Sequence, residues 1–332
     1  CVPDGLEAQS ARRARATLRQ LDDSLALDDA FHAAGVPLLF LKGVTLAARL
    51  NRGRLGLRPS VDIDVAVAEC HVEHAWEILK SLGYRTISPG RPLSPSASRL
   101  FRWASKDSVH QRPGAPHAVE LHWRLSDDLA DPSPPPARLW RRQVVAPGRS
   151  LAMLPDETLF VYLCTHGAVH CWARLKWLAD VVALVEESHD RGAEYWLAAR
   201  RQGAAVPAAS ALLLAHRLCG LPLPPGFMRP RSLRLRLLEA VSLRIVTAQG
   251  GAFDLGAARM GGWAEFAAKI LVAPNLISCA RLLRSMLISA DDVGRVPLPP
   301  WAAVLYPLLR LPLLLMRRRR RFSASRTPSG PS

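Results

Sequence analysis

Two aspartates, Asp62 and Asp64, alternate with Val61, Ile63, Val65 and Val67 in the stretch 61–67. Successive side chains of a strand point to opposite faces. The pattern therefore predicts a strand that buries its three valines and its isoleucine and projects both carboxylates from the other face. Like charges held that close repel, and the arrangement costs stability unless a cation sits between them. Hard dications such as Mg²⁺ prefer carboxylate oxygens and leave positions open for substrate phosphates. A bare Asp-x-Asp also occurs on plain solvated strand edges, so the flanking sequence has to decide.

Downstream, residues 117–124 repeat the alternation: Val119, Leu121 and Trp123 share one face, and Glu120, His122 and Arg124 the other. A carboxylate pair plus a third carboxylate from a neighbouring strand is the minimum for two-metal phosphoryl or nucleotidyl transfer. Upstream, the apolar run 36–41 lies between Gly35 and Gly43 and reads as a buried strand. Leu46 and Leu50 then take up helical spacing. Lys42-Gly43 thus falls on a strand-to-helix turn, where free N–H groups and the helix dipole can hold an anion and a glycine lets it approach the backbone.

A third group lies further on. His166 and His170 are four residues apart and share a helix face, followed by Arg174, Lys176 and Asp180. One reading is a zinc helix of the His-x-x-x-His type, with Cys164 or Cys171 as further ligands, but Gly167 stands where such metalloproteases need their general-base Glu. A second has both imidazoles hydrogen-bonding across a domain interface. A third has His166, His170, Arg174 or Lys176 meeting nucleotide phosphates from the helical side of a cleft. Asp180 follows Lys176 by four residues, a spacing that would let it hold that lysine.

The order Leu41-Lys42-Gly43, Arg58, Asp62-Ile63-Asp64 and Glu120-Leu121-His122-Trp123 resembles the bacterial nucleotidyltransferase-like family of the DNA polymerase β superfamily. The helix 166–180 resembles that family's His-x-x-x-His…Arg-Leu-Lys-Trp-Leu-x-Asp segment, so the likeness covers roughly residues 20 to 225. The turn and the Asp-Ile-Asp are also similar to the nucleotidyltransferase toxins of abortive-infection systems. Many polymerase β relatives carry Gly-Ser or Gly-Gly where this chain has Lys42-Gly43.

The resemblance implies an α/β (α+β) fold, a nucleotidyltransferase domain with a mixed sheet followed by an α-helical domain. It implies a Mg²⁺-dependent enzyme, with two ions held by Asp62, Asp64 and Glu120, that transfers NMP from an NTP to an acceptor hydroxyl on a peptide, small molecule or macromolecule. Glu120 or His122 would take the hydroxyl proton. Lys42, Gly43 and Thr45 would cradle the triphosphate, Arg58 would bind phosphate or anchor its loop, and His166, His170 and Lys176 would contact the nucleotide. Two alternatives stand beside it: a toxin-type transferase acting on tRNA or protein, and an inactive nucleotide-binding relative.

The elements that must position these groups can be read along the chain of 332 residues. A helix is expected over 6–34, another over 71–82, a Pro/Ser-rich loop over 88–98, and a hairpin whose turn lies near 111–116. Expected domains are 1–130 for the transferase with its N-terminal helical segment, 131–150 as linker, 151–295 as the helical domain completing the cleft, and 296–332 as an apolar, polybasic segment with a disordered tail. The six cysteines are scattered without a Cys-x-x-Cys pair, which argues against a disulfide framework and for the cytoplasm. The net charge of +16 suits a protein that handles anions. No helix-turn-helix, zinc module or aromatic-interleaved basic strand is visible, so nucleic acid is not an expected partner. The apolar run 301–316 is broken by Pro307, Arg310 and Pro312 and is too short to span a bilayer. With Arg317–Arg321 behind it, the segment 301–321 either packs on the core or touches the inner face of an anionic membrane.

Overall fold

The computed structural model describes residues 4–127, 129–188, 191–248 and 261–288, together with 293, 298, 302, 305 and 306. The chain opens with helix α1 (Asp4–Ala33), which buries Leu21, Leu27 and Phe31. Gly35, at φ +67°, turns it into strand β1 (Leu39–Phe40). Helix α2 (Val44–Leu50), strand β2 (Asp62–Ala66), helix α3 (Val72–Ser81) and strand β3 (Arg85–Ser88) follow. Helix α4 (Pro95–Ala104) then leads into the hairpin β4 (Asp107–Gln111) and β5 (Ala118–His122).

Helix α4 replaces the end of the expected loop. Ser94 caps it by accepting a hydrogen bond from the N–H of Ala97, and Pro95 occupies the first turn, where its missing donor costs nothing. The stretch 131–150, read above as linker, carries β6 (Arg141–Ala146) and the start of β7 (Arg149–Met153). Both strands join a seven-stranded mixed sheet of order β3-β4-β5-β2-β1-β7-β6. The pairs β2/β5 and β1/β7 are parallel, and the other neighbours antiparallel.

One face of the sheet is apolar. Ile63, Val65, Val119, Leu121 and Trp123 pack there with Leu79, Phe101 and Phe31 of the covering helices. Val61 was expected to join them but is 67% exposed, because the strand begins one residue later. The ring centroids of Phe101 and Trp123 are 5.7 Å apart and meet edge to face, an arrangement that adds about 0.5–1.5 kcal/mol to burial alone.

The other face carries the acidic residues and looks toward helix α5 (Asp156–Val169). This helix buries Leu159, Phe160, Val161, Tyr162 and Leu163 in succession, the all-round burial of a central helix. Helices α6 (Leu175–Glu187), α7 (Gly192–Arg201), α8 (Ala205–Cys219), α9 (Leu233–Ala248), α10 (Gly261–Val272) and α11 (Leu276–Leu287) complete the described chain. Between α5 and α6, Cys171 and Trp172 stand at φ +50° and +54°, and the N–H of Trp172 donates to the carbonyl of Gly167 at 2.8 Å. The indole folds back over Gly167 so closely that a Cβ there would lie 2.2 Å from the ring. This tight reversal sets the start of α6 beside the end of α5.

No described helix is long and apolar enough to cross a membrane. Most of the segment 301–321, including the arginine block, lies outside the described residues. Tyr306 is buried in the same cluster as Ile63 and Trp123.

Candidate active site

The acidic strand and its neighbours build one wall of a cavity of about 420 Å³. Parallel pairing of β2 and β5 puts Asp64 beside Glu120, and antiparallel pairing of β4 and β5 puts Asp107 beside His122. Asp64 is almost fully buried, and its Oδ1 lies 3.4 Å from Lys42 Nζ and 3.6 Å from His122 Nε2. The same imidazole nitrogen is 3.6 Å from Glu120 Oε2, while His122 Nδ1 faces Asp107 Oδ2 at 3.7 Å. None of these distances is a hydrogen bond. Both ring nitrogens of His122 are buried and lack a hydrogen-bond partner.

Ligand atoms of Asp64, Glu120 and His122 all lie within 4.8 Å of one another, the one such metal-competent group among the described residues. Asp62 lines the same cavity outside that tight group. Its Oδ1 accepts from the Ser60 hydroxyl at 3.2 Å, and its backbone carbonyl accepts from Gln20 at 2.7 Å.

The electrostatics of this wall follow from the geometry. Burial penalises the Asp64 carboxylate, but Lys42 and then His122 outweigh it and hold the group well below the usual carboxylate range. Burial likewise opposes the charge on Lys42, and Asp64, Tyr162, Asp62 and Glu120 more than restore it. Asp62 is pushed up, first by burial and then by Asp64 and Glu120. His122 is raised as well: burial and Lys106 disfavour its charged form, and Asp64, Glu120 and Asp107 overcome them. Burial is the first cause at Asp62, and neighbouring carboxylates act in the same direction at both groups, a negative field that a bound cation would relieve.

The turn after β1 does something other than expected. The N–H of Leu41 donates to the Asp64 carbonyl at 3.0 Å and so fixes Lys42 against β2. Gly43 adopts φ +71°, ψ −133°, a conformation that glycine alone takes readily. Thr45 is fully buried and its hydroxyl donates to the Lys42 carbonyl at 3.0 Å. Neither Gly43 nor Thr45 lines the cavity. The expected triphosphate cradle is thus reduced to Lys42, whose ammonium is already turned to Asp64.

The opposite wall comes from α5 and the start of α6. Tyr162, His166, His170, Arg174, Lys176 and Trp177 all line the cavity. The His166 and His170 rings are 4.9 Å apart, and Trp177 meets them at 5.0 and 5.2 Å. Burial, then Lys42 and His170, hold His166 well below the usual imidazole range and hence neutral. Burial also lowers Lys176, helped by Arg58 and Arg174. Cys164 and Cys171 are buried in the apolar core, and no zinc set forms with the two histidines among the described residues. Asp180 does not hold Lys176. It accepts two hydrogen bonds from Arg58, at 2.7 and 2.8 Å, in a buried bidentate pair that anchors the loop before β2. Arg58 lines the cavity, and its Nη1 is buried without a hydrogen-bond partner.

Sequence reasoning missed Lys106 and Asp107, which line the cavity as an ion pair, and also Tyr162 and Trp177. The alternation that marked β5 continues weakly in β4, but Ser105-Lys106-Asp107-Ser108 has no pattern of its own.

An acid-lined sheet facing a basic and aromatic helical wall is an arrangement suited to transfer of a phosphorylated group. The family model described as "Uncharacterised nucleotidyltransferase" matches residues 2–220, and the chain belongs to that family. It is a nucleotidyltransferase, with the mixed sheet and following helices of the α+β class. Among solved structures it is similar to ANT(2")-Ia in complex with adenylyl-2"-tobramycin, at 16% identity and a TM-score of 0.40, over 56% of this chain and 97% of that one. No curated protein matches.

Proposed function

We propose that the protein transfers NMP from an NTP to a hydroxyl of an acceptor in a Mg²⁺-dependent reaction. The observation that carries this reading is the set of carboxylates Asp62, Asp64 and Glu120 on one cavity wall, facing Arg174, Lys176 and Trp177 on the other. Oxygen donors of this kind fit hard dications. Asp64 and Glu120 would hold the metal with Asp62 beside them, and a bound dication would neutralise the triphosphate and polarise the α-phosphate.

The acceptor oxygen attacks the α-phosphorus in line, the bond to the bridging α–β oxygen breaks, and pyrophosphate leaves. Glu120, at 32% exposure more open than Asp64, is placed to take the hydroxyl proton. His122 suits that role less, since its acidic neighbours favour the imidazolium. Lys176, Arg174 and the unpartnered nitrogen of Arg58 offer positive charge to the phosphates, while His166 and His170 border the nucleotide with Trp177. Lys42 acts through Asp64, and Gly43 and Thr45 shape its turn. The reading includes a cytoplasmic setting, where NTPs are abundant, and leaves peptide, small-molecule and macromolecular acceptors open.

Incubation with Mg²⁺ and α-labelled NTP tests it. The parent should transfer label to itself, a peptide or a small hydroxyl compound, and Asp64→Asn should lower that transfer by more than about a hundredfold while staying folded. Equal transfer by Asp64→Asn would remove Asp64 from the metal site. Binding of NTP by both proteins without any transfer would make the chain a nucleotide-binding relative without catalysis.

A further inference from the structure

His122 is the anomaly of the cavity. A fully buried imidazole normally donates from one nitrogen and accepts at the other. Here both nitrogens are buried and neither has a hydrogen-bond partner, although three carboxylates stand 3.6–3.7 Å away. Nε2 looks between Asp64 and Glu120, and Nδ1 looks at Asp107 on the neighbouring strand. That posture is what a metal-ligating histidine needs. An ion at Nε2 would take the place of a proton there, and Nδ1 is aimed at a carboxylate that can set tautomer and ring orientation. The register Asp107↔His122 builds this relation into the sheet, and Lys106 in turn fixes Asp107.

We infer that His122 is a metal ligand, that with Asp64 and Glu120 it forms a mixed nitrogen-and-oxygen site, and that Asp107 is its positioning residue. An imidazole nitrogen adds affinity for first-row transition dications and little for Mg²⁺, which prefers oxygen ligands. The site therefore binds a transition dication such as Mn²⁺ more tightly than Mg²⁺, whichever of the two supports turnover. Lys42 shares Oδ1 of Asp64 with His122 Nε2 and competes with an ion for that atom, but the carboxylate keeps its second oxygen and about four lone-pair positions in all. The ring nitrogens of His166 and His170 lie on the opposite wall and outside the group of converging ligand atoms.

The inference rests on the nucleotidyl-transfer reading of the same site, and its test is binding of Mn²⁺ alone to the full chain without nucleotide. Titration followed by the electron paramagnetic resonance signal of free Mn²⁺ gives the affinity. Competition by Mg²⁺ gives the selectivity, and electron spin-echo modulation reports whether a ¹⁴N nucleus is bonded to the ion. The parent should bind Mn²⁺ well ahead of Mg²⁺ and show ¹⁴N modulation. His122→Gln should lose the modulation and lower Mn²⁺ affinity on the order of ten- to a hundredfold, with Mg²⁺ affinity nearly unchanged. Absence of ¹⁴N modulation in the parent, or an equal loss of both ions in the variant, overturns the assignment. Should His122→Gln fail to fold, Asp107→Asn keeps the imidazole and decides in its place. A fall in Mn²⁺ affinity alone supports the assignment, and an equal effect on both ions, or none on either, overturns it. Transfer of label with Mg²⁺ but no nitrogen signal would sink this inference and leave the transferase reading standing. A nitrogen signal without transfer would do the reverse.

Discussion

Lys42 Nζ lies 3.4 Å from Asp64 Oδ1, and both groups are nearly out of reach of water. Each corrects the other: the carboxylate keeps the ammonium charged in a buried setting, and the ammonium keeps the carboxylate ionised. The sequence leads one to expect this lysine to greet the triphosphate; its ammonium is turned to the buried Asp64 carboxylate.

Removing that counter-ion should have opposite effects on stability and on metal binding. Lys42→Met strands Asp64 without its partner, and breaking a buried pair from one side costs about 3–5 kcal/mol. The same change removes a positive charge that competes with an incoming dication. Denaturant unfolding in chelator should show the loss, and added Mn²⁺ or Mg²⁺ should recover much of it, with tighter divalent binding than in the parent. Weaker divalent binding in Lys42→Met would mean that the lysine assists the site and does not compete with it.

The bidentate pair of Arg58 and Asp180 ties the loop before β2 to α6. Arg58→Ala and Asp180→Ala should each lower stability by about 3–5 kcal/mol, since each leaves an uncompensated buried charge. The double variant Arg58→Ala/Asp180→Ala should lose less than the sum of the two single variants. Thermal melts of the set check this, and strict additivity of the single effects would show that the pair is not a coupled unit.

Acid stability depends on a histidine on the far face of the sheet. His110 is buried, and burial lowers it to about 4 from an ordinary imidazole value. The folded protein keeps it neutral while the unfolded chain takes up a proton below pH ~6.5. Its contribution is therefore complete above that pH and is lost progressively as pH falls to about 4, a change of about 3 kcal/mol. Urea unfolding across this range should give a shallower pH slope for His110→Gln than for the parent. Identical slopes would show that His110 does not carry the acid sensitivity.

Much of the site could be read from alternation, because strands that bury one face and charge the other leave a period of two. Asp62, Asp64, Glu120 and His122 were found that way, and His166 and His170 by helical spacing. Pairing partners were out of reach, since they depend on register and on chain reversal. Arg58 meets Asp180 across 122 positions, and Asp107 becomes visible only when β4 lies against β5. The sheet's outer hairpin, β6 with β7, was hidden for a different reason. Arg141, Arg142, Arg149 and Ser150 dilute its apolar signal, and the preceding prolines suggested a boundary. Helix α4 carries its own capping signal in Ser94-Pro95, but the prolines and serines around it have the composition of a loop.

Gly167 and Trp172 occupy one volume between them, so neither position is an independent character of the sequence. While the indole is present, position 167 admits only a hydrogen as its side chain, and a larger residue there becomes acceptable only after the tryptophan has gone. Drift along this helix is therefore ordered in time: the ring must leave first, and its departure loosens the reversal that holds Trp177 against the two histidines. The far wall of the cavity is in this sense ratcheted, open to substitution in one sequence of steps and closed in the other.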